Sequence, residues 1–417
     1  MLNSRLSATL PVVHRGAGVY VWDTAGKCYL DGSSGSVAAV LGHAHPNLLR
    51  AMSGQAEQIS HVYRGMFANR PAEELARLLL SQSGGDYRRV QFANSGSEAV
   101  EIALKIAIQY WQERGRPTKT GMLSRRHSYH GNTMGALSLS GHAGRRSRFE
   151  TVLHDYPALP APTSDQDFAD FENAVERLGP ENLAAVVVEP VVGGAALALV
   201  PPDGYHRRLR SLCDEYELLL IADEVMTGVH RTGPLLAMDD FEVDADLTVL
   251  GKGLGGGCIP LSAVMVSGRV IDGVLAGSGR LDTGGHTYAS GPLAAAVGLE
   301  VMRTIQSDGL AAACRGVGEQ LGHALVEMGR SHPAVREVRG TGMLWGIELA
   351  PEAPARAAER LVEAAAEAGL IIYLAGDDGI EGVLVAPPLI MELPHVDELV
   401  GKLDLALTAI ERTRSAV

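Results

Sequence analysis

The sequence predicts an α/β fold, with a large domain built on a mainly parallel sheet covered by helices and a smaller α+β domain beside it. Three observations carry that prediction. From about residue 70 onward, short β-branched runs bounded by Gly or Asp alternate with helical stretches; each run ends in an unusual polar element; and after about Gly291 the texture changes to Ala- and Glu-rich helical sequence. Alternation of this kind is what strands joined by crossover helices produce.

Taken in order, Val19–Asp23 and Cys28–Asp31 alternate apolar and polar residues around Thr24-Ala-Gly-Lys27, which reads as a β-hairpin. Helices are expected over Pro71–Ser81, Glu98–Glu113 and Tyr205–Tyr216. Strands are expected at Arg89–Ala93, Thr120–Ser124, Ala184–Val188, Leu218–Ala222 and Leu247–Leu250, with another at Leu261–Val266. Pro157 to Asp170, rich in Pro, Ala, Ser and Asp, reads as an exposed loop. Gly342–Leu349 is strand-like and Ala353–Gly369 helical. The expected division is residues 1–50 as an N-terminal segment contributing to the small domain, 51–290 as the large domain and 291–417 as the C-terminal small domain, whose sheet the first hairpin is expected to share.

The chain has 417 residues, enough for a substantial core without disulfide staples. Its net charge is -13 and it has no run of Lys or Arg, which excludes nucleic acid and anionic membrane surfaces as partners. Met1 to Val13 is too polar, and broken by Pro11, for a signal peptide, and no stretch approaches a membrane span. Cys28, Cys213, Cys258 and Cys314 lack C-x-x-C spacing, as expected of free thiols in a reducing cytoplasm. Lysine occurs only at 27, 105, 119, 252 and 402, so chemistry that needs a primary amine has few candidates.

After the five strands come Asn94-Ser-Gly-Ser-Glu98, His127-Ser-Tyr-His-Gly131, Glu189-Pro190, Asp223-Glu-Val225 and Gly251-Lys-Gly253. Ligands of open α/β sheets bind beyond the carboxyl ends of the strands, so these elements are expected to converge on one site. Ser95-Gly96-Ser97 opens a helix, where free N–H groups favour an anion; an ordinary N-cap accounts for the same residues. Lys252 follows an apolar strand, and a desolvated amine there becomes a nucleophile able to form an imine; the other four lysines read as exposed. Asp223 ends the most apolar strand, where a carboxylate requires a partner: a cofactor's cationic ring nitrogen, or a magnesium ion. Gly251-Lys-Gly-Leu-Gly-Gly256 matches a dinucleotide fingerprint, but a strand rather than a helix is expected after it, which removes the pyrophosphate site of a nicotinamide oxidoreductase. His43 and His45 read as a capped turn, and no G-x-S-x-G occurs.

Together with Asp23-Thr-Ala-Gly-Lys-Cys-Tyr-Leu-Asp31, Leu41-Gly-His-Ala-His-Pro46, Arg231-Thr-Gly233, His286-Thr-Tyr288 and Ala386-Pro-Pro-Leu389, these elements resemble the class III aminotransferases, fold type I enzymes dependent on pyridoxal 5'-phosphate. The resemblance implies that Lys252 is the Schiff-base lysine and then the proton shuttle, that Asp223 pairs with the pyridine nitrogen, and that Tyr129 and Val225 flank the ring. It further implies that Ser95, Gly96 and Ser97 hold the phosphate, that His130 belongs to the cofactor site and that Glu189 lies near the substrate. Thr287 would be a phosphate contact donated by the partner subunit, which implies a homodimer with shared active sites. The implied reaction moves an amino group between a small-molecule amine and a keto acid or carbonyl acceptor through a pyridoxamine phosphate intermediate; an aminomutase or epimerase of the same fold is the alternative.

Two departures bear on substrate. Met226 stands where many relatives have a Gln able to reach the cofactor's phenolic oxygen. Relatives that grip an α-carboxylate place an arginine three residues before the Pro-Pro pair, where this chain has Leu384, and the loop Ala375–Gly382 contains none. The amine handled is therefore expected to be a terminal or secondary amine on a larger, neutral molecule, with Arg64 as the candidate for holding a carboxylate co-substrate.

Overall fold

In the computed structural model, residues 10–163 and 166–412 are described, so the parts of the expected terminal segment and C-terminal domain at 1–9 and 413–417 lie outside the described residues. The strands run β1 Val13–Ala17, β2 Tyr20–Asp23, β3 Cys28–Asp31, β4 Tyr87–Ala93, β5 Gly121–Arg125, β6 Ala158–Leu159, β7 Leu183–Val188, β8 Leu219–Asp223, β9 Leu247–Leu250, β10 Ser262–Ser267, β11 Val335–Thr341, β12 Leu344–Leu349, β13 Leu370–Ile371, β14 Tyr373–Asp377 and β15 Ile380–Val385.

The large sheet has the order β4-β10-β9-β8-β7-β5-β6. Strands β9, β8, β7, β5 and β6 are parallel, and β10 runs antiparallel to both β4 and β9. The central strands are buried along their whole length because helices cover both faces, which is why they read as continuous apolar runs. Alternate residues part to opposite sides. Ala185, Val187, Leu219 and Ile221 pack with Ala99, Ile102, Ala103 and Ile106 of the helix Gly96–Glu113, whereas Val186, Val188, Leu220 and Ala222 pack with Leu209, Leu212 and Cys213 of the helix Tyr205–Glu215.

Two smaller sheets flank it. One has the order β1-β2-β3-β13, so the N-terminal hairpin is joined in parallel to a strand from the far end of the chain. The other is β11-β12-β15-β14, antiparallel throughout. One continuous core ties them together, with Val19 and Leu30 from the hairpin packed into the same cluster as Ile347, Leu370, Leu399 and Leu403.

Three expectations need correction. The expected loop Pro157–Asp170 contains β6, paired to the edge of the large sheet, and the start of the helix Gln166–Leu178; residues 164 and 165 lie outside the described residues. A two-residue strand beside Pro157 and Pro160 carries no periodicity from which it is legible. Lys119 is not exposed: it is 2% accessible, its Nζ donates to Pro180 O at 2.7 Å and lies 4.4 Å from the Trp111 ring centroid. Burial lowers its pKa to about 8. Lys402 is half-buried, ion-paired to Glu398 at 2.6 Å, while Lys27 and Lys105 are exposed.

Candidate active site

At the carboxyl ends of the parallel strands a cavity of about 780 Å³ opens. Gly96 and Ser97 after β4, Tyr129, His130 and Gly131 after β5, Glu189 after β7, Asp223 and Val225 at β8, and Lys252 after β9 all line it. The five strand-end elements thus meet at one place. Lys119 precedes β5, at the amino end of that strand, and does not line the cavity.

Lys252 stands in the left-handed region at φ 39°, a strained backbone for a side chain with a Cβ, within the short turn Lys252–Gly255. The chain then passes through Gly256 and Gly257, both at positive φ, into β10, so no helix opens at the glycine run. The amine makes no hydrogen bond or ion pair among the described residues, and what exposure Lys252 has belongs to the cavity wall. Burial pushes its pKa down, against the pull of Asp223 and Glu189. In the apoprotein this amine should therefore lose its proton at a lower pH than an ordinary lysine, near 10.4. The rate of imine formation with an added aldehyde, followed by absorbance, should rise with pH and level off below that value; a rise continuing through about pH 10.4 would refute the desolvated amine.

Asp223, 4% exposed, is met by two donors: Val225 N reaches Oδ1 at 3.1 Å, and His130 Nδ1 lies 2.8 Å from Oδ2. Burial alone would depress the His130 pKa, but the adjoining carboxylate outweighs it and the value is raised. The Nε2 of His130 is buried without a partner among the described residues. Glu189 accepts from Tyr129 N at 3.0 Å and Gly193 N at 2.9 Å, so both its oxygens fix backbone around the cavity. Burial, with Asp223 nearby, raises its pKa.

The start of the helix Gly96–Glu113 shows the N-cap reading of the serines directly. Ser95 caps the helix, accepting from Glu98 N at 3.2 Å, and Ser97 Oγ accepts from Asn132 N at 2.9 Å. Each hydroxyl serves as acceptor there, which leaves its proton free to donate, beside first-turn N–H groups that have no partner within the helix. Ser95 opens on a shallower depression that shares Gly96 and Lys252 with the main cavity. A Cβ at Gly96 would stand 2.9 Å from Val225 Cγ1, and one at Gly131 2.6 Å from Ser97 Oγ, so both glycines keep the cradle open. These features fit the expected cofactor: an anion cradle at one end, a buried carboxylate at the other, and a free desolvated amine between aromatic and aliphatic walls.

Three expected residues are not brought to the cavity. Thr287 is exposed, in a turn whose neighbour His286 lies 3.7 Å from Glu98. Arg64 is exposed and donates to Gly284 O. Leu384 is fully buried in an apolar cluster with Val37, Val191, Ala198, Leu344 and Ala386. It sits one layer behind the wall, since Met226, Tyr373 and Ala375, which do line the cavity, pack against that cluster. Residues that the sequence reading missed are Arg145, His142 and Asp377, which also line the cavity. Arg145 and His142 follow Tyr129-His-Gly131 by little more than ten residues, but nothing in their spacing marks them.

Comparison with known proteins gives one answer. The family described as Aminotransferase class-III matches residues 2–407. The Uncharacterized aminotransferase YodT of Bacillus subtilis is 40% identical, over 99% of this chain and 98% of its own length. Among solved structures, the omega transaminase from Pseudomonas jessenii in complex with PMP superposes with a TM-score of 0.92 at 28% identity, covering 99% of this chain and 95% of that one. A PLP-bound amine transaminase from an uncultivated Pseudomonas species gives a TM-score of 0.92 at 30% identity, covering 98% and 97%.

Proposed function

This chain belongs to the class III aminotransferases, and from that premise we propose that it uses pyridoxal 5'-phosphate at the cavity around Lys252 to move an amino group from a terminal or omega amine to a keto acid or other carbonyl acceptor. The observation that carries the reading is a desolvated amine, without a hydrogen-bond or ion-pair partner among the described residues, that lines one cavity with the buried Asp223 carboxylate and with Gly96 and Ser97 at a helix start. The structural neighbours are omega and amine transaminases, which supports transfer over the aminomutase and epimerase alternative.

When bound, the cofactor supplies an electron sink for the carbon that carries the amino group. The protein's own contributions follow from position. Ser95, Gly96 and Ser97 would hold the phosphate with N–H and O–H donors at the helix N-terminus. Asp223, fixed by Val225 N and His130, keeps a negative charge where the ring nitrogen would lie. Tyr129 and Val225 supply flat walls that exclude water, and Glu189 holds the Tyr129 backbone in place. Lys252, with its pKa lowered by burial, takes and returns a proton at the substrate carbon through Nζ. Met226, a cavity residue, has a thioether that donates no hydrogen bond.

The same reading places Thr287 and Arg64 at a subunit contact. Tyr63, Met66, Phe67 and Tyr288, all more than half exposed, cluster in their two segments, and the rings of His61 and Tyr288 stand 5.5 Å apart. A homodimer covering these residues is proposed, and sedimentation should show a dimer that the double variant Met66→Glu, Tyr288→Glu shifts to monomer; a wild-type monomer that retains full activity would remove the shared site. The divisions near residues 50 and 290 belong to the same proposal, supported by the separate sheets. No helix among the described residues is long and apolar enough to cross a membrane, in keeping with the proposed cytoplasmic location.

The direct test is a screen of amine donors against pyruvate and 2-oxoglutarate with purified holoenzyme. An amino acid formed from the acceptor, in step with a carbonyl product from a terminal amine, supports the reading. Faster turnover of ordinary α-amino acids than of terminal amines would overturn the substrate class.

A further inference from the structure

A transaminase whose acceptor is a keto acid needs a cation near the reacting carbon, and the two places first expected to supply it do not. Leu384 occupies one, behind the wall, and the segment Ala375–Gly382 forms part of the hairpin β14–β15 without an arginine. Among the described residues that line the cavity, the lysines and arginines are Lys252 and Arg145 alone. Lys252 is committed to the chemistry.

Arg145 is an exposed residue at the edge of the cavity. Its guanidinium carbon lies 4.6 Å from the centroid of the Tyr129 ring, and it makes no hydrogen bond or ion pair to a carboxylate among the described residues. The neighbouring Arg146 is spent on backbone, donating to Leu137 O, Ser138 O and Ser140 O. The segment carrying both is held by Asp377 of the hairpin β14–β15, whose side chain is 1% exposed. Asp377 accepts from Ala143 N at 3.1 Å and Gly144 N at 3.3 Å, and lies 2.8 Å from His142 Nδ1 and 3.3 Å from His127 Nδ1. The hairpin that lacks the arginine therefore carries the carboxylate that anchors a different one.

We propose that Arg145 is the carboxylate-binding group of this site, that Asp377 is its positioning residue, and that the acceptor it selects is a short monocarboxylate 2-oxo acid. The proposal rests on the aminotransferase reading. An arginine fork matches a carboxylate in two parallel hydrogen bonds, and its stacking on Tyr129 leaves the N–H edge free to make them. Glu359, paired with Arg356, and Glu381, which accepts from Ala358 N at 2.9 Å, line the cavity beside the hairpin β14–β15, so a second carboxylate would meet acidic side chains and no second arginine or lysine beyond Lys252 among the described lining residues.

The test compares pyruvate, 2-oxoglutarate and a neutral aldehyde as acceptors with one terminal amine donor, and measures propionate binding to holoenzyme by calorimetry. The wild type should prefer pyruvate to 2-oxoglutarate. Arg145→Ala should lower the ratio of kcat/KM for pyruvate to that for the aldehyde by about 30-fold, mostly through KM, and weaken propionate by a similar factor. Arg145→Lys should recover part of that loss. Asp377→Asn, with Arg145 intact, should shift the same ratio by about fivefold, again through KM, which a purely structural role would not do selectively. An Arg145→Ala enzyme that keeps the ratio and the propionate affinity within twofold would overturn the assignment, and a preference for 2-oxoglutarate would overturn the monocarboxylate class. A wild type inactive with every donor would count against the aminotransferase reading alone, because propionate binding reports on Arg145 without turnover.

Discussion

Lys252→Ala should reduce the turnover of amine and acceptor by about 10⁴-fold or more, the scale of a lost general base compounded by loss of the nucleophile. The size follows from the absence of a substitute. Glu189 has both oxygens occupied by backbone N–H groups, and His130 Nδ1 is engaged by Asp223. Lys119, the other buried lysine, precedes β5 and is tied to Pro180 O and Trp111. Folding should be little affected, since Lys252 Nζ makes no hydrogen bond or ion pair among the described residues and its removal relieves a desolvated amine. Steady-state kinetics with thermal melts of the same preparations checks both halves. A variant within tenfold of wild type would mean that another group moves the proton.

Asp223→Asn should cost about 10²- to 10³-fold in kcat, comparable to the loss of one preorganised electrostatic contact in a water-excluded site. The amide keeps the shape and the acceptor for Val225 N, but not the charge that would face a cationic ring nitrogen. It also removes the carboxylate that holds the His130 pKa above its ordinary value, so burial then dominates and that pKa should fall. The sign of the stability effect follows. A histidine whose folded pKa is raised contributes stability that is fully present below its unfolded value, near 6.5, and is lost as pH rises through the folded value. The apoprotein variant should therefore melt below wild type at acidic pH, with the gap narrowing once His130 is neutral. A gap that widens with pH would show that His130 is not the charged partner. Imidazole resonances followed by NMR give the two pKa values directly.

Much of this arrangement is legible in the sequence because the chemistry sits at strand ends. Cys28–Asp31 and Leu247–Leu250 are the expected strands residue for residue, and the others differ by one or two positions at their ends. Burial on both faces leaves continuous apolar runs whose ends are marked by Asp223, Glu189 and Lys252. What was not legible depends on approach through space. Lys119 lies in a polar stretch, Arg-Pro-Thr-Lys, yet the Trp111 ring and the carbonyl of Pro180 close over it from other elements. Arg145 belongs to a four-residue helical turn among several arginines, and its position over the Tyr129 ring and in the cavity lining distinguishes it from Arg146 and Arg148. Leu384 shows its lack of charge in the sequence, but its depth behind the cavity wall depends on how β15 packs.

The central claim is that Lys252 is the amine to which the cofactor attaches, and borohydride reduction of the holoenzyme followed by digestion and mass spectrometry tests it most directly. The account predicts a cofactor adduct on the peptide carrying Lys252 and none on the peptide carrying Lys119, the other buried lysine. An adduct on Lys119, or a fully active holoenzyme with no adduct on any lysine, would contradict it.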